Sequence, residues 1–195
     1  MKNISIPSEK LDKIEELLGE NLVSIVLVGS VINPYLDAQE DDYWILVKYD
    51  DAYVLPNDVR DAINLLEPGK IVFEHVHQTS KKCFHFGEAH FDKTLRGEVI
   101  EQPDILSDKL QFLKRLRHDV RLLPDISVNY HSKIWYHVYM DLCFLESDSY
   151  ALSEEQIAFV NHLYKDRLGD ILNDIHAVQD KLFRPWPIEN GPIKE

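Results

Sequence analysis

The stretch VSIVLVGSVINPYLDAQEDDYWILV, from Val23 to Val47, decides the fold of this chain. Its first strand, Leu22–Val28, is β-branched and apolar on both faces, as is typical of a strand in the middle of a sheet. That strand ends at Gly29 and Ser30, and a polar loop follows. The aromatic and β-branched run Tyr43–Tyr49 predicts a second strand, and acidic residues directly precede it. The stretch therefore predicts two buried strands joined by a loop that ends in carboxylates.

The segments around this stretch complete a small α/β core. Ser8 is a good capping residue, and apolar residues at helical spacing predict a helix from there to about Leu18. A second helix is predicted over Asn57–Leu66, and a third strand over Ile71–His77. The order of these elements predicts an α/β (α+β) core with a small mixed sheet in residues 1–106.

Residues 107–195 have a different pattern, because apolar residues now recur at helical spacing. Ser153 and Gln156 form a capping box, which predicts that a helix begins at Glu154. Other helices are expected from about Ser107 to Pro124, over Ser132–Leu145 and over Leu168–Leu182. We therefore expect a C-terminal helical bundle with no sheet of its own.

Composition narrows the class of function. The 195 residues are 45% hydrophobic and 28% charged, which is typical of a folded chain. No apolar run reaches the roughly 18 to 20 residues that span a bilayer, and the N-terminus lacks the apolar segment of a signal peptide, so we expect a cytoplasmic protein. Cys83 and Cys143 have no metal-binding or disulfide spacing. The formal charge of −13 argues against a broad nucleic-acid surface and favours a small-molecule or protein partner.

Gly29 and Ser30 at a strand end, a loop, and acidic residues before the next strand together resemble the signature of the nucleotidyltransferase superfamily, the DNA polymerase beta-like nucleotidyltransferase fold. The resemblance covers roughly the first 80 residues. It implies that Gly29 and Ser30 bind the phosphates of a nucleoside triphosphate (NTP). It also implies that Mg²⁺ or Mn²⁺ assists transfer of the nucleoside monophosphate to a hydroxyl of a small molecule or protein.

The resemblance also assigns the metal ligands to carboxylates. Strand residues two apart point to one face, so an acidic pair at that spacing can share a hard cation. Two registers satisfy part of the pattern: Glu40 with Asp42 keeps both charges, whereas Asp42 with position 44 keeps the apolar middle residue but places Trp44 at the second position. Glu74 matches the third carboxylate, as base or ligand. Trp44 favours an alternative function, a catalytically inactive relative that binds a nucleotide or a protein, such as a toxin–antitoxin component.

Two further groups of residues have simpler interpretations. Four histidines on and after the third strand lack a standard zinc spacing and are interleaved with phenylalanines, so they favour a half-buried hairpin over a zinc site. They are His75, His77, His85 and His90. Basic residues are concentrated on the first C-terminal helix, where we expect them to balance nearby carboxylates.

Overall fold

The computed structural model describes residues 4–39, 42–76, 92–99, 105–122 and 128–190, and for 128–133 and 190 it describes the backbone alone. The chain divides into two compact units, Met1–Pro103 and Asp104–Glu195. No helix among these residues is both long and apolar enough to cross a membrane.

The first unit contains a mixed sheet of four strands in the order β3-β2-β1-β4. The strands are β1 Leu22–Val28, β2 Trp44–Asp50, β3 Ile71–Val76 and β4 Lys93–Gly97. β1 pairs antiparallel with β2 and with β4, whereas β2 and β3 run parallel. The predicted mixed sheet and the buried central strand β1 are thus confirmed. β4 was not predicted, because its sequence KTLRG is short and polar and has no period-two pattern of apolar residues.

Two helices, α1 Ser8–Leu18 and α2 Asn57–Asn64, contribute to one hydrophobic core with the sheet. That core contains Leu11, Ile14, Leu18, Ile25, Ile45, Val47, Tyr49, Leu55 and Ile63. The prediction that Ser8 caps α1 was wrong, since Pro7 is the N-cap and no side chain caps the helix. The Ser8 hydroxyl instead accepts a hydrogen bond of 2.9 Å from the Arg96 guanidinium on β4.

The second unit is helical, and the residues described from 105 onward include no strand. Its helices are α3 Lys109–Arg121, α4 Val128–Ser147, α5 Glu154–Lys165, α6 Leu172–Phe183 and the short α7 Pro187–Asn190. α4 is buried along most of Trp135–Leu145, and it packs against α5 and α6. The capping box predicted at Ser153 is present, with both reciprocal bonds, and α5 begins at Glu154 as expected. The predicted α/β core followed by helices is confirmed.

Candidate nucleotide site

The end of β1 and the starts of β2 and β3 lie at the same edge of the sheet, because β1 is antiparallel to β2 and β3 is parallel to it. Gly29 and Ser30 follow β1, Asp42 precedes β2, and Lys70 precedes β3. We call these four residues the strand mouth. Adjacent strands lie about 4.8 Å apart, so two spacings put the backbones of Gly29 and Lys70 about 10 Å from each other.

Gly29 and Ser30 lie directly beside Asp42. The Val31 amide donates a 3.2 Å hydrogen bond to the Asp42 carbonyl, and the Ser30 side chain is buried. Gly29 has φ 117°, and a Cβ there would lie 2.7 Å from the Asp42 carbonyl oxygen and 2.8 Å from Tyr43 Cα. The glycine is therefore required by the close approach of the chain's own backbone. The proximity of Gly29 and Ser30 to Asp42 agrees with the sequence expectation.

The start of β2 bears on the two carboxylate registers. The strand begins at Trp44, which pairs with Val28, and the indole packs beside Val26, Val28 and Leu46. Asp42 lies before the strand, and its amide donates a 3.2 Å hydrogen bond to the Gln39 carbonyl. Glu40 lies outside the described residues. The register that pairs Glu40 with Asp42 therefore stays a prediction.

Glu74 is not brought to the strand mouth. It pairs in register with Lys48, which pairs in turn with Ser24 near the opposite end of β1. Lys48 follows Asp42 by six residues, a distance of about 20 Å at ~3.3 Å per strand residue. Glu74 Oε2 lies 3.2 Å from Lys48 Nζ, and the Lys48 side chain is 2% exposed. The expectation that Glu74 shares an ion with Asp42 is not supported by this register, because a buried ammonium neutralises the carboxylate elsewhere.

A cluster of charged and aromatic side chains surrounds the start of β3, and sequence reasoning missed it. Lys70 Nζ lies 4.9 Å from the centroid of the Tyr43 ring and 5.9 Å from that of the Trp44 ring. The Tyr43 hydroxyl donates a 3.1 Å hydrogen bond to Glu67, which also pairs with Lys10. The hydrogen bond from Lys10 lowers the pKa of Glu67, and the bond from Tyr43 and the charges of Lys10 and Lys70 act in the same direction. Only the parallel pairing of β3 with β2 would have revealed this neighbourhood.

The other predicted groups have structural partners. The Tyr49 hydroxyl and His75 Nε2 are 3.0 Å apart, whereas His77, His85 and His90 lie outside the described residues. On α3, Lys109 lies 2.7 Å from Asp148, and the Arg117 guanidinium donates to two backbone carbonyls and pairs with Glu189. These contacts agree with the expectation that the basic side chains of α3 balance carboxylates.

The carboxylates in the part of the chain that the structure describes do not fit a two-ion clamp. No group of three His, Cys, Asp or Glu side chains there could hold a metal ion. Trp44 occupies the second ligand position of one register, and Glu74 is paired with Lys48. Of the predicted ligands that the structure describes, Asp42 is the one at the strand mouth, and Mg²⁺ can bind through one or two carboxylates when substrate phosphates supply its other ligands.

Comparison with solved structures identifies a similar fold. It is that of spectinomycin adenyltransferase AAD(9) from Enterococcus faecialis, solved with ATP and spectinomycin. The TM-score is 0.54 at 10% sequence identity, over 92% of this chain and 100% of the adenyltransferase. No protein-family model and no curated protein matches the sequence. The similarity supports the nucleotidyltransferase fold that Gly29, Ser30 and the following acidic residues led us to expect.

Proposed function

We propose that this chain binds an NTP at the strand mouth and transfers its nucleoside monophosphate to a hydroxyl of a small-molecule or protein acceptor. One observation carries the proposal: Gly29 and Ser30 lie beside Asp42 at the end of a central strand, in a fold similar to that of an adenyltransferase solved with ATP and spectinomycin. The order of the three residues along the chain and their proximity in space agree with the superfamily signature.

In the proposed reaction the oxygen of the acceptor hydroxyl attacks the α-phosphorus and a new P–O bond forms. The hydroxyl proton passes to solvent, and the bond from the α-phosphorus to the bridging oxygen of the β-phosphate breaks to release pyrophosphate. The short 3₁₀ turn Ser30–Ile32 follows Gly29 directly. Backbone amides and the Ser30 hydroxyl are groups of the kind that bind phosphate oxygens. We assign Gly29 and Ser30 to the phosphates, as the resemblance implies.

Asp42 would hold a magnesium or manganese ion that enters with the NTP, and Glu40, outside the described residues, is the proposed second ligand. Such an ion supplies charge neutralisation to the phosphates. Asp42 also brings negative charge to the place where an anionic substrate binds. Positive charge, from a metal ion or from a basic side chain, must therefore lie close to the phosphates if they are to bind beside this carboxylate.

The test compares the wild type with Asp42→Asn. A matched control is Asp51→Asn, the same substitution in the turn after the far end of β2. Melting is measured with ATP or GTP, with and without Mg²⁺, and pyrophosphate release is measured with a panel of hydroxylated acceptors that begins with spectinomycin. We expect NTP with Mg²⁺ to stabilise the wild type and Asp51→Asn, and Asp42→Asn to abolish pyrophosphate release.

Two results would contradict the proposal. If no NTP raises the melting temperature of the wild type, the strand mouth is not a nucleotide site. If NTP binds but no acceptor releases pyrophosphate, and Asp42→Asn binds NTP as well as the wild type does, the chain is the binding-only relative that Trp44 favours.

A further inference from the structure

We propose that Lys70 is a phosphate-binding residue of this site, and that its ammonium supplies positive charge that a metal ion bound through position 44 would otherwise supply. The inference rests on the proposed NTP site at the strand mouth. The residue at position 44 does not fit the superfamily pattern. The register that pairs Asp42 with position 44 requires a second metal ligand there, but Trp44 has an indole side chain, which cannot coordinate Mg²⁺.

The sheet register places a cation beside that indole. β2 and β3 are parallel, with Ile45 opposite Ile71, so Lys70, the residue before β3, adjoins Trp44, the first residue of β2. The Ile45 amide donates a 2.8 Å hydrogen bond to the Lys70 carbonyl, which fixes the lysine backbone at the start of β2. Lys70 is thus on the β3 side of the strand mouth, with Gly29 on the β1 side. Their backbones are separated by two strand spacings, or about 10 Å.

Two aromatic rings hold the lysine head at this edge. Its Nζ is 4.9 Å from the Tyr43 ring centroid and 5.9 Å from the Trp44 centroid, both within the range of a cation–π contact. Tyr43 is itself held by its hydrogen bond to Glu67. Restricting a long side chain before the ligand arrives lowers the entropy lost on binding. Trp44 therefore positions the Lys70 ammonium, whereas a carboxylate at position 44 would bind a metal ion.

The charge of Glu67 is balanced by groups other than Lys70 as well. Glu67 already accepts hydrogen bonds from Lys10 and from Tyr43, and Lys70 acts on it through space. A triphosphate carries more negative charge than that single carboxylate, and an ammonium binds phosphate well as a point charge. The geometry assigns Lys70 to the phosphates when an NTP is bound.

The experiment measures binding of ATP and of adenosine by calorimetry, in EDTA and in Mg²⁺. Lys70→Met removes the charge and keeps an unbranched stem against the rings, and Lys70→Arg restores the charge. Lys13→Met, on α1, is the matched control, since Lys13 pairs with Glu16 on its own helix. We expect Lys70→Met to weaken ATP binding in EDTA about tenfold or more. Adenosine binding should not change, Lys70→Arg should retain most of the ATP affinity, and Lys13→Met should behave as the wild type.

The possible outcomes distinguish the role of Lys70 from the proposed nucleotide site itself. If the wild type binds ATP neither in EDTA nor in Mg²⁺, the nucleotide site itself is refuted. If the wild type binds ATP only in Mg²⁺, or if it and Lys70→Met bind ATP equally in EDTA, the role of Lys70 is refuted while the nucleotide site stands. Equal weakening of ATP and adenosine by Lys70→Met would show a structural effect and would also overturn the assignment.

Discussion

Replacement of Gly29 by alanine tests the packing that forms the strand mouth. Gly29 has φ 117° and ψ 172°, a region that is open essentially to glycine alone and that costs other residues about 1–3 kcal/mol. The added Cβ would also lie 2.7 Å from the Asp42 carbonyl oxygen and 2.8 Å from Tyr43 Cα. Both contacts are to backbone, so relief requires β1 and β2 to separate, and overpacking of this kind costs about 1–3 kcal/mol more. We expect Gly29→Ala to lower the free energy of unfolding by about 2–6 kcal/mol.

Two other glycines separate conformational strain from close approach. Gly69 has φ 75°, and a Cβ added there would have no atom within 4 Å, so Gly69→Ala carries the strain alone, about 1–2 kcal/mol. Gly97 has a similar φ of 78°, but its Cβ would lie 2.3 Å from the Val23 carbonyl oxygen. Gly97→Ala should therefore resemble Gly29→Ala rather than Gly69→Ala.

The assay is urea unfolding of the three variants and the wild type, followed by far-UV circular dichroism. With a slope of about 2 kcal/mol per molar urea, the difference between Gly29→Ala and Gly69→Ala corresponds to about 1 M in the midpoint. If Gly29→Ala unfolds at the same urea concentration as Gly69→Ala, the close approach of Gly29 to Asp42 is refuted. The placement of Gly29 and Ser30 next to Asp42 at the strand mouth would then be refuted as well.

Two further predictions concern ion pairs. Glu74→Gln should destabilise the chain by about 3–5 kcal/mol, because it leaves the buried Lys48 ammonium without this carboxylate. The double variant Lys48→Met/Glu74→Leu should be close to the wild type in stability. Equal urea midpoints for Glu74→Gln and the wild type would refute the pairing of Glu74 with Lys48. The pKa of His162 is raised, first by its hydrogen bond to Asp174 and then by that to Asp166. Protonated His162 therefore stabilises the folded chain below about pH 6.5, the pKa of the residue in the unfolded chain. This stabilisation is lost as the pH rises through the pKa of His162 in the folded chain. The melting difference between the wild type and His162→Gln should be larger at about pH 5 than at about pH 9, and equal differences would contradict this.

The sequence predicted those parts of the fold that depend on local pattern. The buried strand β1, the capping box at Ser153 and the helical second unit follow from periodicity and capping chemistry over a few residues. The polar strand β4 carries no such pattern, because its place in the sheet comes from pairing with β1. The same limit applies to the site. Gly29, Ser30 and Asp42 were predicted as site residues from their order along the chain, whereas the proposal of Lys70 depends on the register between β2 and β3.

Glu74 was assigned to the strand mouth because the sequence does not reveal the register between β2 and β3. An acidic residue on the strand after the helix matches the superfamily pattern in order, but order does not say how far along the strand it lies. In this chain Glu74 is level with Lys48, four residues beyond Trp44 along β2, and the two form a buried ion pair. A carboxylate at that level cannot reach an ion held by Asp42, because about 13 Å of strand separates even Trp44 from Lys48.

The residue at position 44 and the position of Glu74 both differ from the superfamily pattern, and both differences make the strand mouth less negatively charged. Trp44 stands where a carboxylate would add a negative charge, and the charge of Glu74 is neutralised by Lys48 at a distance from Asp42. Lys70, at the start of β3, adds a positive charge beside the indole. Carboxylates serve a nucleotide site only by recruiting cations, since by themselves they repel the phosphates. A strand mouth with fewer carboxylates and with a lysine therefore needs fewer metal ions for the same net attraction. The presence of Trp44 at position 44 does not by itself imply the loss of nucleotide binding.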